Sequence, residues 1–501
     1  MKMTWLNFLH FYQPHHQQKD ILDAVVAQCY APLFKKFGKL DKNTSITINI
    51  NGALLDLFHK HGYDILIQLL KKALENRSVE ITGSAKYHAF LPLISESEIE
   101  RQIKINQDTL KKYFGDLWQP EGFFSPEMGF DPKIIPIIQK MGYKWILLDE
   151  IAYAKGKEFP KYDKLYEIEG SDIKVFFRNR RVSNLIMSGV ARDLETVKQG
   201  ISQEMKNNEY LVTAMDGETF GHHHPGLENF LFQILDSKEF KITSISEYLY
   251  NKQNKLETDR VRSYLSTWAS SMSDIDENIQ FLSWKDPDNE IHDYQWKLFN
   301  LVLSELNNYP KNEENILESR RKMDSAMSSD HFWWASAKPW WSLEMIENGA
   351  YRLVEVMESI PNVSEEKLRE AHSLYEKIIS TSFEWQRTGK IREMNRQQNE
   401  ILRIPFRKRT LEGGEPGVYN AFLDLMKNLE LDSAKSRDYE KAALWRDAQY
   451  KLENKLDIYD TIHVVDLLRQ NMPNAEIEKI IEEYKKEYRK IRGGQPEQRG
   501  R

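Results

Sequence analysis

Short apolar runs alternate with amphipathic segments through the first half of the chain. Eight runs have the length and residue content of buried strands, at 4–11, 45–50, 79–84, 121–126, 143–149, 173–179, 210–217 and 241–246. Between several of them apolar residues recur with helical spacing, as at 62–77, 98–115 and 131–143. Alternation of strands and helices predicts a parallel sheet, and seven or eight such strands favour a β/α barrel.

Polar side chains occupy the carboxyl ends of most of these predicted strands. They are His10, Asn51, Glu127, Asp149, Arg178 and Asp216. In a β/α barrel the active site is built at that face, from the segments that follow the strands. The pattern therefore predicts a functional site that collects residues from distant parts of the chain.

After residue 255 the pattern changes, and it divides the chain into three predicted parts. Residues 1–255 form the barrel, and residues 256–390, which have helical spacing, form a helical domain that closes the cleft. Residues 391–501 form a charged helical extension whose tail, GGQPEQRGR, is predicted to be disordered. In it, YEKAALWRDAQYKLEN is faintly similar to the helical hairpin of excision-repair nuclease subunits, although an ordinary amphipathic helix is favoured.

Length, charge and cysteine content narrow the class of protein. A chain of 501 residues is too long for one compact core, and 70 basic against 76 acidic residues argue against a nucleic-acid or acidic-membrane partner. The single cysteine, Cys29, excludes an internal disulfide and a thiolate metal cage. No run approaches the ~18 apolar residues of a membrane span, and the N-terminus lacks a signal-peptide layout, so we expect a cytoplasmic protein. The sequence does not indicate the oligomeric state.

Aromatic residues reach 12% of a chain whose mean hydropathy is −0.63, which favours a flat-faced ligand such as a sugar. Four tryptophans fall within nine positions, at Trp333, Trp334, Trp340 and Trp341. Burying all four on one segment is difficult. We therefore predict that Trp333 lines the cleft and stacks on a pyranose ring, with Trp268 as a comparable candidate.

Two strand-end carboxylates are candidates for catalysis. Glu127 directly follows Pro126 in GFFSPEMGFD, and Asp216 ends the strand in LVTAMDGETFGHHHPG. Strand alternation places Asp216 and Glu218 on the same side of the chain. Carboxylates from different strands that face one cleft can act as nucleophile and acid/base in glycoside hydrolysis, although a strand-end acid can also cap the next helix.

The histidines admit two interpretations. In GHHHPG, His222, His223 and His224 resemble half of a zinc site, but a catalytic zinc needs about three ligands and no H-E-x-x-H spacing is present. Alternatively, one or two of them bind sugar hydroxyls or orient a carboxylate, and for His224 a solvated loop position is favoured. Of the N-terminal histidines, His10 shares a strand face with Tyr12, whereas those at 15 and 16 are expected in a loop.

Five segments together resemble the ordered motifs of glycoside hydrolase family 57. They are HFYQP (10–14), GSAKYHAFLP (83–92), FFSPEMGF (123–130), DGETFGHH (216–223) and the tryptophan-containing region 266–287. Their order and spacing match over about residues 5–290. The resemblance implies a (β/α)7 barrel with a helical domain over the cleft, and retaining chemistry on α-glucans or other α-linked oligosaccharides.

The resemblance also implies individual roles. Glu127 matches the nucleophile and Asp216 the acid/base, which requires a raised pKa at Asp216. His10, Gln13 and His88 match positions that line the sugar subsite nearest the cleaved bond. Glu218 and His222 are added as candidates for substrate binding, and no metal or other cofactor is expected.

Two departures from the family pattern affect specificity. Tyr12 replaces the second histidine of the first motif, and the fifth motif lacks the glycine-rich pattern of branching enzymes and glucanotransferases. Two alternatives therefore stay open. One is a metal-dependent deacetylase or mannosidase that uses His10, Asp216 and His222, and the other is a non-catalytic glucan-binding protein.

Overall fold

The computed structural model describes residues 2–153, 158–189, 191–270, 274–275, 278–309, 314–338, 340–398, 416–454, 467–468 and 479. By its contacts the chain divides into two units, Met1–Ile391 and Arg392–Arg501. The C-terminal tail predicted to be disordered lies outside the described residues. The boundary predicted at 255 within the first unit stays a prediction.

Each of the eight predicted strand segments contains a strand. The described strands are β1 Thr4–Phe11, β2 Ile46–Ile50, β3 Val79–Ile81, β4 Gly122–Phe123, β5 Trp145–Asp149, β6 Leu165–Ile168, β7 Lys174–Arg178, β8 Tyr210–Asp216, β9 Lys241–Ile242 and β10 Thr258–Val261. The sequence did not indicate β6 and β10. β10 lies at a sheet edge and is mostly exposed, so it lacks the apolar run of a covered strand.

The strands form an α/β fold with two sheets. One has the order β3-β2-β1-β8, with β9 also paired to β1, and all its pairs are parallel. The other has the order β10-β6-β7-β5-β4, in which only the β6–β7 pair is antiparallel. Contacts between the sheets include a parallel bridge between Gly83 and Phe123 and a hydrogen bond of 2.8 Å from Asn179 N–H to Val212 O. No closed barrel is formed by the described strands.

The core lies on both faces of the first sheet, because β1 is buried along its whole length. On one face Trp5, Leu9 and Phe11 pack against the surrounding helices. On the other, Leu6 and Phe8 pack with residues of the second sheet. Because both faces are buried, the sequence of β1 is a largely apolar run. His10 lies near the carboxyl end of this strand.

Helices cover the sheets and continue after them. Up to residue 252 the α-helices are Lys19–Val25, Ala31–Phe37, Gly52–Lys60, Asp64–Glu75, Glu96–Phe114, Ile134–Lys140, Arg180–Met187, Leu194–Gly200, Ser202–Asn207, Leu227–Asp236 and Ile245–Lys252. After the strands come Glu290–Asn307, Leu317–Ala326, Asp330–Trp333, Leu343–Ser359, Glu365–Thr388 and Lys390–Gln398. The region after residue 255 is therefore mainly helical, as predicted.

In the second unit the described residues form a helical hairpin. Its helices, Pro416–Lys435 and Tyr439–Asn454, pack through buried apolar residues, among them Phe422, Met426 and Trp445. Across the described part of the chain, no helix combines the length and apolarity needed to cross a membrane. The cytoplasmic location stays a prediction.

Candidate active site

A cleft of ≈ 790 Å³ in the first unit contains most of the residues singled out in the sequence. Eight of the nine predicted site residues line it: His10, Gln13, His88, Glu127, Asp216, Glu218, Trp268 and Trp333. The wall also includes residues that the sequence did not single out as site residues, notably Tyr12, Asp330 and Arg352. The site therefore combines strand ends with the helical segment that follows.

Glu127 is held in an unusual backbone conformation. Its φ is 58° and that of Met128 is 50°, in the left-handed region that residues other than glycine rarely adopt. The indole Nε1–H of Trp268 donates a hydrogen bond of 2.8 Å to Glu127 Oε2. Strained conformations of this kind concentrate at functional sites, where the surroundings hold a side chain in place.

The surroundings of Glu127 oppose its ionisation. Burial, followed by the negative charge of Asp216, raises the pKa of Glu127 to about 8, and the hydrogen bond from Trp268 partly counters this. The interaction with Asp216 is electrostatic evidence that two carboxyl groups share one cleft. Such an arrangement favours a pair that holds a single proton near neutral pH.

Asp216 ends β8, directly opposite His10 of β1 in the strand register. Burial raises the pKa of Asp216 to about 6, and the nearby Arg178 guanidinium opposes the increase. The pKa is raised as the sequence predicted, but less than that of Glu127. The local hydrogen bonds instead favour Glu127 as the carboxylate of the pair. Glu127 accepts a bond that favours its charged form, whereas the carboxyl of Asp216 accepts none from the described residues.

His10 and His88 form a neutral pair beside Glu127. Their Nε2 atoms lie 3.2 Å apart, and His88 Nε2 lies 3.9 Å from Glu127 Oε1. Burial lowers the pKa of His10 to about 4 and that of His88 well below its usual value. Asn49 Oδ1 lies 2.9 Å from His10 Nδ1, so His10 carries its proton on Nδ1 and its Nε2 accepts from His88.

Tyr12 connects the strand ends with the helical segment. Its ring stacks on His88 at a centroid distance of 4.0 Å, and its hydroxyl donates a bond of 2.5 Å to Asp330 Oδ2. Asp330 also accepts from the Ser328 hydroxyl. Tyr12 thus contacts both His88 of the strand-end wall and Asp330 of the helical segment.

Glu218 lines the cleft but is committed to contacts within the protein. Its Oε1 accepts from the Tyr30 hydroxyl and from the Tyr12 N–H at 3.3 Å. Burial, followed by the charge of Asp216, raises the pKa of Glu218 to about 8. Glu218 therefore anchors the segment after β1 to the segment after β8.

Of the three consecutive histidines, the structure places His223 and not His222 on the cleft wall. The Nδ1 atom of His222 lies 2.7 Å from Gln28 Oε1, away from the cleft. The expected solvated position of His224 is wrong, because this residue is buried and its Nε2 lies 2.7 Å from Met187 O. Strand alternation does not extend to these residues, since β8 ends at Asp216 and a 3-10 turn follows.

Three of the clustered tryptophans line the cleft. Trp333 stacks on Trp340 at 4.3 Å and 24°, and it contacts Trp334 edge to face at 4.9 Å. All three are partly exposed. Trp341 instead stacks on Trp385. The exposed aromatic faces form a surface suited to pyranose rings.

Other polar strand ends are structural. Asn51 caps the helix Gly52–Lys60, since its side chain accepts from Leu54 N–H at 3.2 Å. Asp149 is 0% exposed and accepts a bond of 2.7 Å from Arg178 Nη1. Arg178 also donates to Ala214 O at 2.8 Å. This buried pair connects β5, β7 and β8, and Arg178 also lies on the cleft wall near Asp216.

We expect Arg178→Met to lower the free energy of unfolding by about 3–5 kcal/mol, because the buried Asp149 carboxylate loses its partner at 2.7 Å and keeps only the longer contact of 3.7 Å to Arg180 Nε. Urea denaturation measures the change. As a matched control, Arg181→Met removes the ion pair with Glu204 at the exposed Arg181 and should cost about 1 kcal/mol or less. Equal losses for the two variants would show that the buried pair does not support the site.

No group of three histidine, cysteine or acidic residues that could hold a metal ion is present among the described residues.

Comparison with known families and solved structures places the chain among known folds. The sequence pattern of Glycosyl hydrolase family 57 matches residues 3–262. The chain is similar to the 4-alpha-glucanotransferase of Thermococcus litoralis, with 15% identity and a TM-score of 0.58 over 71% of this chain and 60% of that one. It thus spans less than two thirds of that enzyme.

Two further solved structures are matched over nearly their whole length. The branching enzyme of Thermococcus kodakaraensis has 15% identity and a TM-score of 0.58 over 75% of this chain and 94% of that one. The alpha-amylase AmyC of Thermotoga maritima has 15% identity and a TM-score of 0.55 over 76% and 98%. At this identity the likeness shows the fold alone. No curated protein matches the sequence.

Proposed function

Because the chain belongs to Glycosyl hydrolase family 57, we propose that it cleaves or transfers α-glucans or related α-linked oligosaccharides with retention of configuration. In this proposal the two sheets are halves of a (β/α)7-type barrel, and the helical residues 256–390 close the cleft. The link between Gly83 and Phe123 and the wall residues Asp330 and Arg352 support this arrangement.

Glu127 and Asp216 divide the chemistry. Glu127 attacks the anomeric carbon, and Asp216 gives its proton to the departing oxygen. Asp216 then deprotonates the water or sugar hydroxyl that releases the glycosyl-enzyme. The observation that carries the proposal is the pairing of these partly buried carboxyls in one cleft, with one oxygen of Glu127 held by Trp268 and the other facing His88.

The neutral histidines and the tryptophans bind the sugar. With a pKa well below neutral, His10 and His88 line the sugar subsite without adding charge beside Glu127, while their ring nitrogens contact Asn49, Ser329 and each other. Gln13 lies on the same wall and adds an amide. Trp333 provides an aromatic face farther along the helical segment.

The test uses maltoheptaose, amylose, amylopectin and α-galactosides as substrates, with product chromatography and proton NMR of the first anomer formed. We expect α-glucan products with the α-configuration. A β-anomer as first product would contradict the double-displacement mechanism. Full activity on an acetylated sugar with sensitivity to chelators, and none on α-glucans, would instead favour the metal-dependent alternative.

We expect Trp268→Phe to move the pH optimum upward. On the acid side, loss of the N–H bond raises the pKa of Glu127, so fewer molecules hold the carboxylate and kcat/KM falls about tenfold. On the alkaline side Glu127 is already ionised, so kcat/KM changes little. The pH dependence of kcat/KM measures both sides, and Trp341→Phe, outside the cleft, is the control. A uniform decrease at all pH values would exclude an effect through Glu127.

A further inference from the structure

One cation of the cleft has no carboxylate partner among the residues that the structure describes. Arg352, on the helix Leu343–Ser359, lines the cleft and is half-buried. Its Nε donates to Asn348 Oδ1 at 2.8 Å, and its Nη1 lies 3.1 Å from His15 Nε2. By contrast, Arg178 pairs with a carboxylate, whereas among the described residues none lies within ion-pair distance of Arg352.

Two histidines next to Arg352 are kept neutral by their surroundings. Burial, followed by the charge of Arg352, lowers the pKa of His15 to about 3 and that of His16 to about 4. Lys60 and Lys86 add to the positive field at His15. His16 also lines the cleft, and its Nδ1 is buried with no hydrogen-bond partner in the described part of the chain.

The acidic groups nearby are already engaged. Asp330 accepts from two hydroxyls, and Glu344, which is exposed, accepts from Gln18 Nε2 at 3.1 Å. Asp56 pairs with Lys86 at 2.8 Å. Glu355 acts on Arg352 only through its field. The positive charge of Arg352 is thus left for a group that enters the cleft.

A neutral glucan does not require such a cation. The guanidinium has five N–H donors in a planar fork, and two of its nitrogens make one contact each within the protein. Holding a charged group partly buried without a counterion is unfavourable. The remaining donors match the oxygens of a phosphate or carboxylate group.

We propose that Arg352 and His16, with His15 orienting the guanidinium, form a subsite for an oxyanionic substituent, a phosphate ester or a carboxylate, on the sugar chain held in the cleft. This inference rests on the proposed function, because it takes the cleft to bind an α-glucan. It narrows the substrate class to α-glucans that carry such a substituent.

The test measures binding in a chain made inert by Glu127→Gln. Isothermal titration compares maltoheptaose with maltoheptaose that carries a phosphate monoester. We expect the phosphorylated chain to bind about tenfold more tightly, as charge-assisted bonds to one guanidinium allow. Adding Arg352→Gln should remove the preference, and Arg352→Lys should restore part of it. Arg321→Gln, at an exposed arginine whose Nε donates to Leu317 O in the same helix, is the matched control.

The remaining outcomes of the titration either contradict the inference or distinguish its failure from the failure of the proposed function. Equal binding of the two chains, or a preference that survives Arg352→Gln, overturns it. If inorganic phosphate binds as tightly as the ester and is not displaced by it, the site binds a free ion, and the proposed subsite for a sugar substituent is wrong. If neither chain binds while phosphate still binds through Arg352, the proposed function fails and the anion site stands.

Discussion

Glu127→Ala should lower kcat on an α-glucan by on the order of 10⁴-fold or more, as removal of a nucleophile does in other covalent mechanisms. Without the carboxylate no glycosyl-enzyme forms, and no other described group replaces it, since the neighbouring His88 is neutral. The left-handed backbone at Glu127 tolerates alanine as well as it tolerates glutamate. Initial rates and thermal unfolding, measured together, separate lost chemistry from lost structure.

Azide makes this prediction specific. A small anion can occupy the space left by the side chain and attack the anomeric carbon directly from the opposite face. The product from an α-substrate is then a β-glycosyl azide, because only one displacement occurs. As a control, Glu121→Ala removes a solvent-accessible carboxylate that pairs with Lys144, and should keep the wild-type rate. Near-full activity of Glu127→Ala would refute the assignment of the nucleophile.

The sequence predicted the parts of the fold that depend on local pattern. The run at 4–11 coincides with β1, because both faces of this strand are covered and every residue in it is buried. β10 was missed because it lies at a sheet edge with only Val261 buried, so its sequence lacks a hydrophobic pattern. The two separate sheets were not predicted either, since pairing between distant strands leaves no local signal.

The candidate site was predicted only in part, because contacts between distant parts of the chain leave no local signal. Glu127 and Asp216 follow apolar strands, so their place at the strand ends could be inferred from the sequence. Asp330 and Arg352 lie on helices after the sheets, and only the tertiary contacts of Tyr12 and His15 bring them to the cleft. In the sequence, the positions of these two residues within their helices do not differ from ordinary surface positions.

Local backbone geometry explains the remaining errors. The alternation that placed Asp216 and Glu218 on one side ends with β8, and the 3-10 turn that follows sends His222 toward Gln28. The same turn leads into a segment in which His224 is buried. A periodic pattern predicts orientation only as far as the regular element extends.

Asp216→Ala should have the second large effect, and this effect depends on the leaving group. On α-glucans, whose leaving group is a poorly acidic sugar hydroxyl, loss of the general acid should lower kcat by about 10²–10⁴-fold. On a nitrophenyl α-glucoside the leaving group departs without a proton, so glycosylation of Glu127 should be far less affected. Steady-state and single-turnover rates on both substrates measure the difference. Asp236→Ala, which removes an exposed carboxylate on a helix, is the control.

Azide also distinguishes the role of Asp216 from that of Glu127, because the azide products of the two variants should have opposite stereochemistry. In Asp216→Ala the glycosyl-enzyme still forms, and azide, which needs no general base, can release it by a second displacement. The product is then an α-glycosyl azide, whereas Glu127→Ala gives the β-form. The alkaline limb of the pH profile should also disappear, because it reports the proton that the pair must retain. If both variants give the same azide anomer, the assignment of Glu127 as nucleophile and Asp216 as acid/base is wrong.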